Sequence, residues 1–199
     1  MTTKVASYST KELSTETLPD FEKFFETHPA PGAYGCWCMY NHRTGPLTER
    51  ERQASRVQNA ARNRQEKRKL VEKGCSHGIL VYAQGEPVGW CQYGSKEELS
   101  RIDNNPKYRQ VALEGDDSLW RITCFVVDKK HRRRGVASIA LRAALEAIKK
   151  RGGGLVEAYP ITRWGAYADY RGTVTMFQRE GFERIAPFGK DNVVMRRRV

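Results

Sequence analysis

The chain has 199 residues, a length that suits one domain with a sizeable hydrophobic core. Its net charge of +12 predicts an acidic partner, such as phosphate groups, an anionic substrate, nucleic acid or an anionic surface, and does not choose among them. Five cysteines without the spacing of a disulfide framework, no signal peptide and no apolar run of membrane-spanning length argue against the secreted and membrane classes, so we expect a cytoplasmic protein.

The first predicted elements are a short strand at residues 5–8 and a helix at residues 19–27. Phe21, Phe24 and Phe25 fall on one face of this helix, which is the pattern of an amphipathic helix.

The stretch GCWCMY at residues 35–40 is unusual because two cysteines flank a tryptophan. A metal site would draw on nearby thiols and imidazoles, namely Cys36, Cys38, His42, Cys75 and His77. We expect no metal there, because no CxxC pair occurs and free cysteines often behave as small buried hydrophobic residues. Two interpretations stay open: a loop that lines the substrate side of a pocket, or plain core packing.

Residues 48–73 predict one long helix, or two helices with a break, and Thr48 with Glu51 resembles a capping box. The stretch is very basic and could bind nucleic acid. However, no aromatic residues interleave its charges and four glutamates are mixed in, which favours a solvated helix over the acceptor side of the cleft.

A hairpin is predicted next, with strands at residues 79–83 and 87–93 and Gly85 in the turn. Residues 95–117 are polar and interrupted by proline, which predicts a mobile excursion with one helical turn at residues 96–101.

The organising stretch is a strand at residues 119–127, a basic turn at residues 128–134, and a helix that begins after Gly135 and is stopped by the glycines from Gly152 onward. The first turn of a helix presents unpaired N–H groups and a positive dipole end, so a small residue such as glycine lets an anion approach the backbone. The alternative is an ordinary solvated turn between a strand and a helix.

The remaining elements are a strand at residues 154–161, a loop at 163–172 rich in Trp and Tyr, a helix at 173–180 and a final strand at 193–196.

In this order, the segments resemble the GNAT superfamily of acyl-CoA N-acyltransferases. Residues 132–137 (RRRGVA) fit its Arg/Gln-x-x-Gly-x-Gly/Ala motif, and residues 154–160 and 176–182 resemble the strand and the helix that follow. The resemblance covers roughly residues 79–199. It implies one α/β domain over residues 1–199, with a mixed, mostly antiparallel sheet whose central strands splay apart between flanking helices. About residues 79–199 would bind acetyl-CoA, and about residues 1–78 would form the acceptor side.

The implied activity is direct transfer of an acetyl group from acetyl-CoA to an amine of a small molecule or peptide. No metal is implied, nucleic acid is not the expected partner, and the protein would be a monomer or a homodimer. The alternative is a non-catalytic module on the same fold that binds acyl-CoA or nucleic acid. The resemblance assigns cofactor binding to the central strand, the basic turn, the helix start and one tyrosine: Phe125, Val126, Val127, Arg132, Arg133, Arg134, Gly135, Val136, Ala137, Ser138 and Tyr170.

Two catalytic positions depart from the family pattern. The glutamate that many relatives carry on the central strand corresponds to Thr123, which holds a water but is no base. The tyrosine of the last helix corresponds to Phe177. We therefore expect Glu157, directly or through a water near Thr123, to act as the base, since a buried carboxylate is rarely accidental. An ion pair with an arginine is the alternative. Tyr170, which should lie by the thiol, is the predicted proton donor, with Tyr159 and Tyr167 as further candidates; for each of these tyrosines, plain packing is the alternative.

Overall fold

The computed structural model describes residues 7–28, 35–46, 48–112, 118–162 and 170–199. Within these ranges the chain forms one seven-stranded sheet in the order β1-β2-β3-β4-β5-β7-β6. The strands are β1 Tyr8–Glu12, β2 His77–Ala83, β3 Glu86–Ser95, β4 Leu119–Val127, β5 Leu155–Ala158, β6 Glu183–Phe188 and β7 Asn192–Arg198. Neighbouring strands are antiparallel, except that β4 and β5 run parallel.

The helices cover both faces of this sheet. They are α1 Leu18–Thr27, α2 Glu49–Gln53, α3 Arg56–Glu72, α4 Pro106–Arg109, α5 Val136–Lys150 and α6 Val174–Arg179. None of the helices in the described ranges is long and apolar enough to cross a membrane.

The core has two main layers because successive strand residues point to opposite faces of the sheet. Ile79 and Val81 of β2 pack with the apolar face of α5, whereas Leu80 and Tyr82 pack with the phenylalanines of α1. The predicted aromatic face of α1 is therefore confirmed: Phe21, Phe24 and Phe25 are at most 2% exposed.

The two central strands separate after a short pairing. The parallel ladder joins Leu119–Ile122 of β4 to Leu155–Ala158 of β5, where β5 ends. β4 continues to Val127, so the edge of its last five residues that faces β5 has no ladder partner there. This opening is the predicted splay of the central strands.

Three predictions about the elements need correction. The first strand begins at Tyr8 rather than at residue 5; residues 1–6 lie outside the described part. The excursion after β3 is not simply mobile, because Ile102 and Tyr108 are buried in a third apolar cluster. Its helical turns are a 3-10 helix at Ser100–Asn104 and α4, rather than a turn at 96–101. Strand β6 was not predicted, since it is a mostly exposed strand at the sheet edge and contains Pro187.

The basic segment forms two helices, each opened by a capping box, at Thr48 and at Ser55. Several of its arginines pair with carboxylates; Arg64 and Arg68, for example, pair with Glu22 of α1. No residue of α2 or α3 lines either of the two cavities described below, as far as the described residues show. The position of this segment over the acceptor side stays a prediction; α3 packs beside α1, and the ion pairs to Glu22 join the two helices.

Candidate active site

A groove of about 1000 Å³ lies where β4 turns into α5, and we call it the β4–α5 groove. It is lined by most of the residues predicted to bind the cofactor: Phe125, Val126, Val127, Arg132, Arg133, Gly135, Val136, Ala137, Ser138 and Tyr170. Arg134 is exposed and is not among its described lining residues. One continuous stretch of chain, joined by Tyr170, therefore forms most of the groove.

The backbone of the groove is suited to an anion. Gly135 is the N-cap of α5 and has a φ of +80°, and Arg133 before it has a φ of +58°. The first turn of α5 contains no acidic residue that would pair with its N–H groups. A side chain at position 135 would be strained by its φ rather than by crowding, since an added Cβ meets nothing within 4 Å.

A second cavity, of about 520 Å³, is lined by Thr123, two residues before Phe125 on β4, and we call it the Thr123 cavity. Its walls are the segment Tyr40–Pro46, parts of the excursion after β3, Tyr159 and Phe188. The two cavities adjoin at two places in the chain: Thr123 lines one and Phe125 the other, and Arg171 lines one while Tyr170 lines the other. The two cavities are therefore lined by closely spaced residues of β4 and of the segment 170–171.

Thr123 is the extra residue of a bulge in β4. Gln92 is opposite Cys124 and Tyr93 is opposite Ile122, so Thr123 has no partner of its own on β3. Its hydroxyl donates to Gln92 Oε1 over 3.0 Å. A bulge of this kind re-aims a side chain, and here it turns Thr123 toward the cavity.

Gln92 fixes the direction of that hydrogen bond. Its Nε2 donates to the carbonyl of Cys38 over 2.6 Å and to His42 Nε2 over 3.1 Å. The amide oxygen of Gln92 must then face Thr123. A flipped amide would place that oxygen against the carbonyl oxygen of Cys38, and neither atom could donate. The Thr123 hydroxyl therefore donates its only proton to Gln92 Oε1, and Thr123 Oγ1 can still accept a hydrogen bond from a group in the cavity.

A buried lysine lies next to His42, at the end of this chain of hydrogen bonds. Lys67 of α3 is fully buried, donates to Ser76 Oγ over 2.7 Å and lies 3.4 Å from His42 Nε2. Burial lowers the pKa of Lys67 to about 8. Burial and the nearby Lys67 lower the pKa of His42 to about 2, so the imidazole is neutral and accepts at Nε2. Neither role was predicted: Lys67 was taken as part of a solvated helix and His42 as a candidate ligand.

The five candidate metal ligands do not come together. Cys38 lies 3.6 Å from Cys124, Sγ to Sγ, and accepts from Trp90 Nε1 over 3.0 Å. Cys75 is exposed, and His77 lies 3.1 Å from a Glu98 carboxylate oxygen. Among the described residues, no group of three or more His, Cys, Asp or Glu is arranged to hold a metal ion. Both open interpretations of the GCWCMY stretch apply in part, because its cysteines are packed in the core while Tyr40 lines the cavity.

The Glu157 carboxylate is surrounded by three hydrogen-bond donors. It is fully buried on β5, and its carboxylate accepts from Tyr108 over 2.6 Å, from Tyr159 over 2.7 Å and from Arg196 Nε over 2.7 Å. It is not among the described lining residues of either cavity, although Tyr159 is. These contacts favour the ion pair over the base, and the base role of Glu157 stays a prediction.

The other predicted catalytic positions lie where the two cavities adjoin. Thr123 lines the Thr123 cavity, and Tyr170 lines the groove. Phe177 is fully buried against Phe125 and Phe182, so it contributes packing alone. Tyr167 lies outside the described residues.

Comparison with known proteins agrees with this geometry. A model of the acetyltransferase (GNAT) family matches residues 37–182. The chain belongs to this family. None of the curated proteins compared with the chain is detectably similar to it in sequence.

Solved GNAT structures share the fold at low sequence identity. The PaiA N-acetyltransferase from Thermoplasma acidophilum, in complex with coenzyme A, has a TM-score of 0.56 and 12% identity, over 97% of this chain and 99% of that one. The protein yncA from Salmonella typhimurium, with its cofactor acetyl-CoA, has a TM-score of 0.53 and 14% identity, over 96% and 93%. The ribosomal-protein-S5-alanine acetyltransferase from Vibrio fischeri has a TM-score of 0.53 and 8% identity, over 98% and 95%.

Proposed function

We propose that this GNAT protein is an N-acetyltransferase that moves an acetyl group from acetyl-CoA directly to an amine. The observation that carries the proposal is the junction of two cavities beside β4, one suited to an anion at a helix start and one lined by side chains. Two of the structural neighbours bear coenzyme A or acetyl-CoA, which supports the choice of cofactor.

The β4–α5 groove would hold acetyl-CoA. The N–H groups at the start of α5, with Arg132 and Arg133 beside them, suit a pyrophosphate, because Gly135 leaves the backbone open to it. The unpaired edge of β4 from Phe125 to Val127 offers backbone groups for strand-like pairing with the pantetheine amides. When bound, acetyl-CoA supplies an acetyl group activated as a thioester.

The amine would enter the Thr123 cavity. The lone pair of Thr123 Oγ1 that remains after its bond to Gln92 accepts an N–H of the amine and orients the nitrogen toward the groove. Since the described lining of the cavity contains no carboxylate, the proton that the amine must lose leaves through water rather than to a lining base. Tyr170, at the junction with the groove, is the proposed proton donor to the leaving sulfur.

The test is thiol release from acetyl-CoA with a panel of amines, together with calorimetric titration of acetyl-CoA. We expect micromolar binding and turnover that rises with pH as more of the amine becomes neutral. Binding without thiol release for every amine would favour the non-catalytic module, and no binding of acetyl-CoA would remove the proposal.

A further inference from the structure

Among the described residues, two arginines at the Thr123 cavity lack the carboxylate partner that several other buried or half-buried arginines have. Arg43 pairs with Glu51 at 2.5 Å, Arg121 with Asp103 at 2.6 Å and Arg196 with Glu157 at 2.7 Å. Arg101 and Arg171 line the cavity and have no carboxylate within 4 Å among the described residues. The cavity therefore combines positive charge with an absence of described acidic neighbours.

Within the described part of the chain, the contacts of Arg171 leave most of its donors available. Its Nη1 donates to the neutral side-chain oxygen of Asn192 over 3.0 Å. A guanidinium has five N–H donors in a planar fork that matches a carboxylate or phosphate. Burial lowers the pKa of Arg171, and no carboxylate of the described residues lies within 4 Å of its guanidinium. A desolvated cation of this kind is stabilised when a ligand brings the anion.

Arg101 is held in place by neutral groups. Its guanidinium lies 4.3 Å from the centre of the Tyr40 ring and donates to the carbonyl of Gly45 over 2.5 Å. The nearby acids are already neutralised: Asp103 by Arg121 and Glu157 by Arg196. The described lining of the cavity therefore carries two guanidinium groups and no carboxylate, which disfavours an acceptor with a second cationic group.

The rest of the wall adds a shape requirement. Tyr40, Tyr159 and Phe188 contribute rings, and Ile102 contributes an apolar side chain. Aromatic walls with a few charged groups are typical of sites for small molecules, and a volume of about 520 Å³ is within the usual range of such sites.

From these contacts we infer that the acceptor is a small primary amine that also carries an oxyanion, a carboxylate or a phosphate, which Arg171 binds with support from Arg101. The inference rests on the proposed acetyl transfer and names its substrate class. The amine faces Thr123 and the groove, while the anionic end faces Arg171. Polyamines and other multiply cationic acceptors are poor substrates.

The test compares matched amines. Each pair keeps one carbon skeleton: an amino acid and its carboxamide, at several amine-to-carboxylate spacings, including 4-(aminomethyl)benzoate and 4-(aminomethyl)benzamide for the aromatic walls. O-Phosphoethanolamine and ethanolamine form the corresponding pair for a phosphate group. Putrescine tests an acceptor with a second cationic group. The readout is the ratio of kcat/KM for the anionic and the neutral member, each corrected to the neutral amine fraction, which a general loss of folded protein does not change.

We expect the anionic member to be preferred, and Arg171→Gln to reduce that preference by roughly 10- to 100-fold, as for a charged hydrogen bond. The dissociation constant for acetyl-CoA should stay within about two-fold, because the variant leaves the groove residues in place. The matched control is Arg52→Gln, which removes an exposed arginine of α2 that pairs with Glu49. A wild-type preference for carboxamides or putrescine, or an unchanged ratio in Arg171→Gln, would overturn the inference.

Failure of the proposed function gives a different result. If acetyl-CoA binds and no amine releases thiol, calorimetry with 4-(aminomethyl)benzoate and O-phosphoethanolamine against the protein saturated with coenzyme A still decides the inference. Binding that is lost in Arg171→Gln and kept in Arg52→Gln supports an oxyanion site, and no binding of either probe removes it.

Discussion

The β4–α5 groove and the Thr123 cavity adjoin, yet they are built in different ways. The groove comes largely from one stretch of chain, and its main binding groups belong to the backbone. The cavity takes side chains from segments as distant in sequence as Tyr40 and Phe188. We therefore expect the groove to be most sensitive at the backbone around Gly135 and at Tyr170, whereas the cavity should change its chemistry with single side-chain substitutions such as one at Arg171.

The largest expected effect is at Gly135. Gly135→Asp adds a strained side chain at φ +80° and a negative charge where an anion should bind, so affinity for acetyl-CoA should fall by at least about 100-fold in calorimetry. The matched control is Gly85→Asp in the hairpin turn, with a φ of +82° and equal space around an added Cβ. Unchanged affinity in a folded Gly135→Asp protein would contradict the assignment of the groove.

The second effect concerns Glu157. Glu157→Gln leaves Arg196, only 11% exposed, without its carboxylate, so the free energy of unfolding should fall by about 3 kcal/mol or more in denaturant titrations. The exposed Glu146 provides the control, Glu146→Gln. A variant that keeps its stability and its affinity for acetyl-CoA but loses about 100-fold or more in turnover would instead support Glu157 as the base.

The third effect is a change of stability with pH, which is expected from the buried Lys67. Below about pH 8, Lys67 is protonated in both the folded and the unfolded chain, so titration of this group does not change stability. Between about pH 8 and 10.5 the unfolded chain holds a proton that the folded protein has released, so the stability of the wild type relative to Lys67→Met should rise, by up to about 3 kcal/mol. Denaturant unfolding of both proteins at pH 7, 8.5 and 10 measures this difference; a constant difference would contradict the lowered pKa.

A smaller effect is expected at Thr123. Thr123→Val keeps the shape and removes the hydroxyl, so turnover should fall by roughly 10-fold, the value of about one hydrogen bond, while acetyl-CoA still binds. Thr123→Ser retains the hydroxyl and should recover most of the activity in the thiol-release assay. Equal activity of the valine and serine variants would show that the hydroxyl does not orient the amine.

The smallest effect is expected for nucleic acid. The Arg64 and Arg68 guanidiniums hold the pKa of Glu22 at about 2, and Arg62 lies 3.1 Å from Glu51, so these charges are already engaged. We predict only weak binding of a generic DNA duplex at physiological salt by fluorescence anisotropy. Tight binding that is steeply salt-dependent and lost when Arg62, Arg64 and Arg68 are changed to Gln would contradict this prediction.

Sequence patterns predicted the elements whose signals are local. The helix after Gly135, the hairpin with Gly85 and the capping box at Thr48 are each set by residues a few positions apart, and all three occur in the structure. The edge strand β6 was missed because an exposed strand with a proline carries little periodic signal. The polar Gln92 inside an otherwise apolar strand was the available signal for the hydrogen-bond chain behind Thr123, since a buried amide needs partners.

The sequence by itself predicted a site for an anion, because a strand, a glycine and a helix start are contiguous and the helix dipole needs no distant partner. Only the tertiary structure decided the other half of the site. It placed Lys67 in the interior, enclosed Glu157 among Arg196 and two tyrosines, and left Arg171 with a neutral partner at a cavity. Whether a charged side chain is solvated, paired or available depends on residues far away in the sequence, because burial and Coulomb energies are set by neighbours in space.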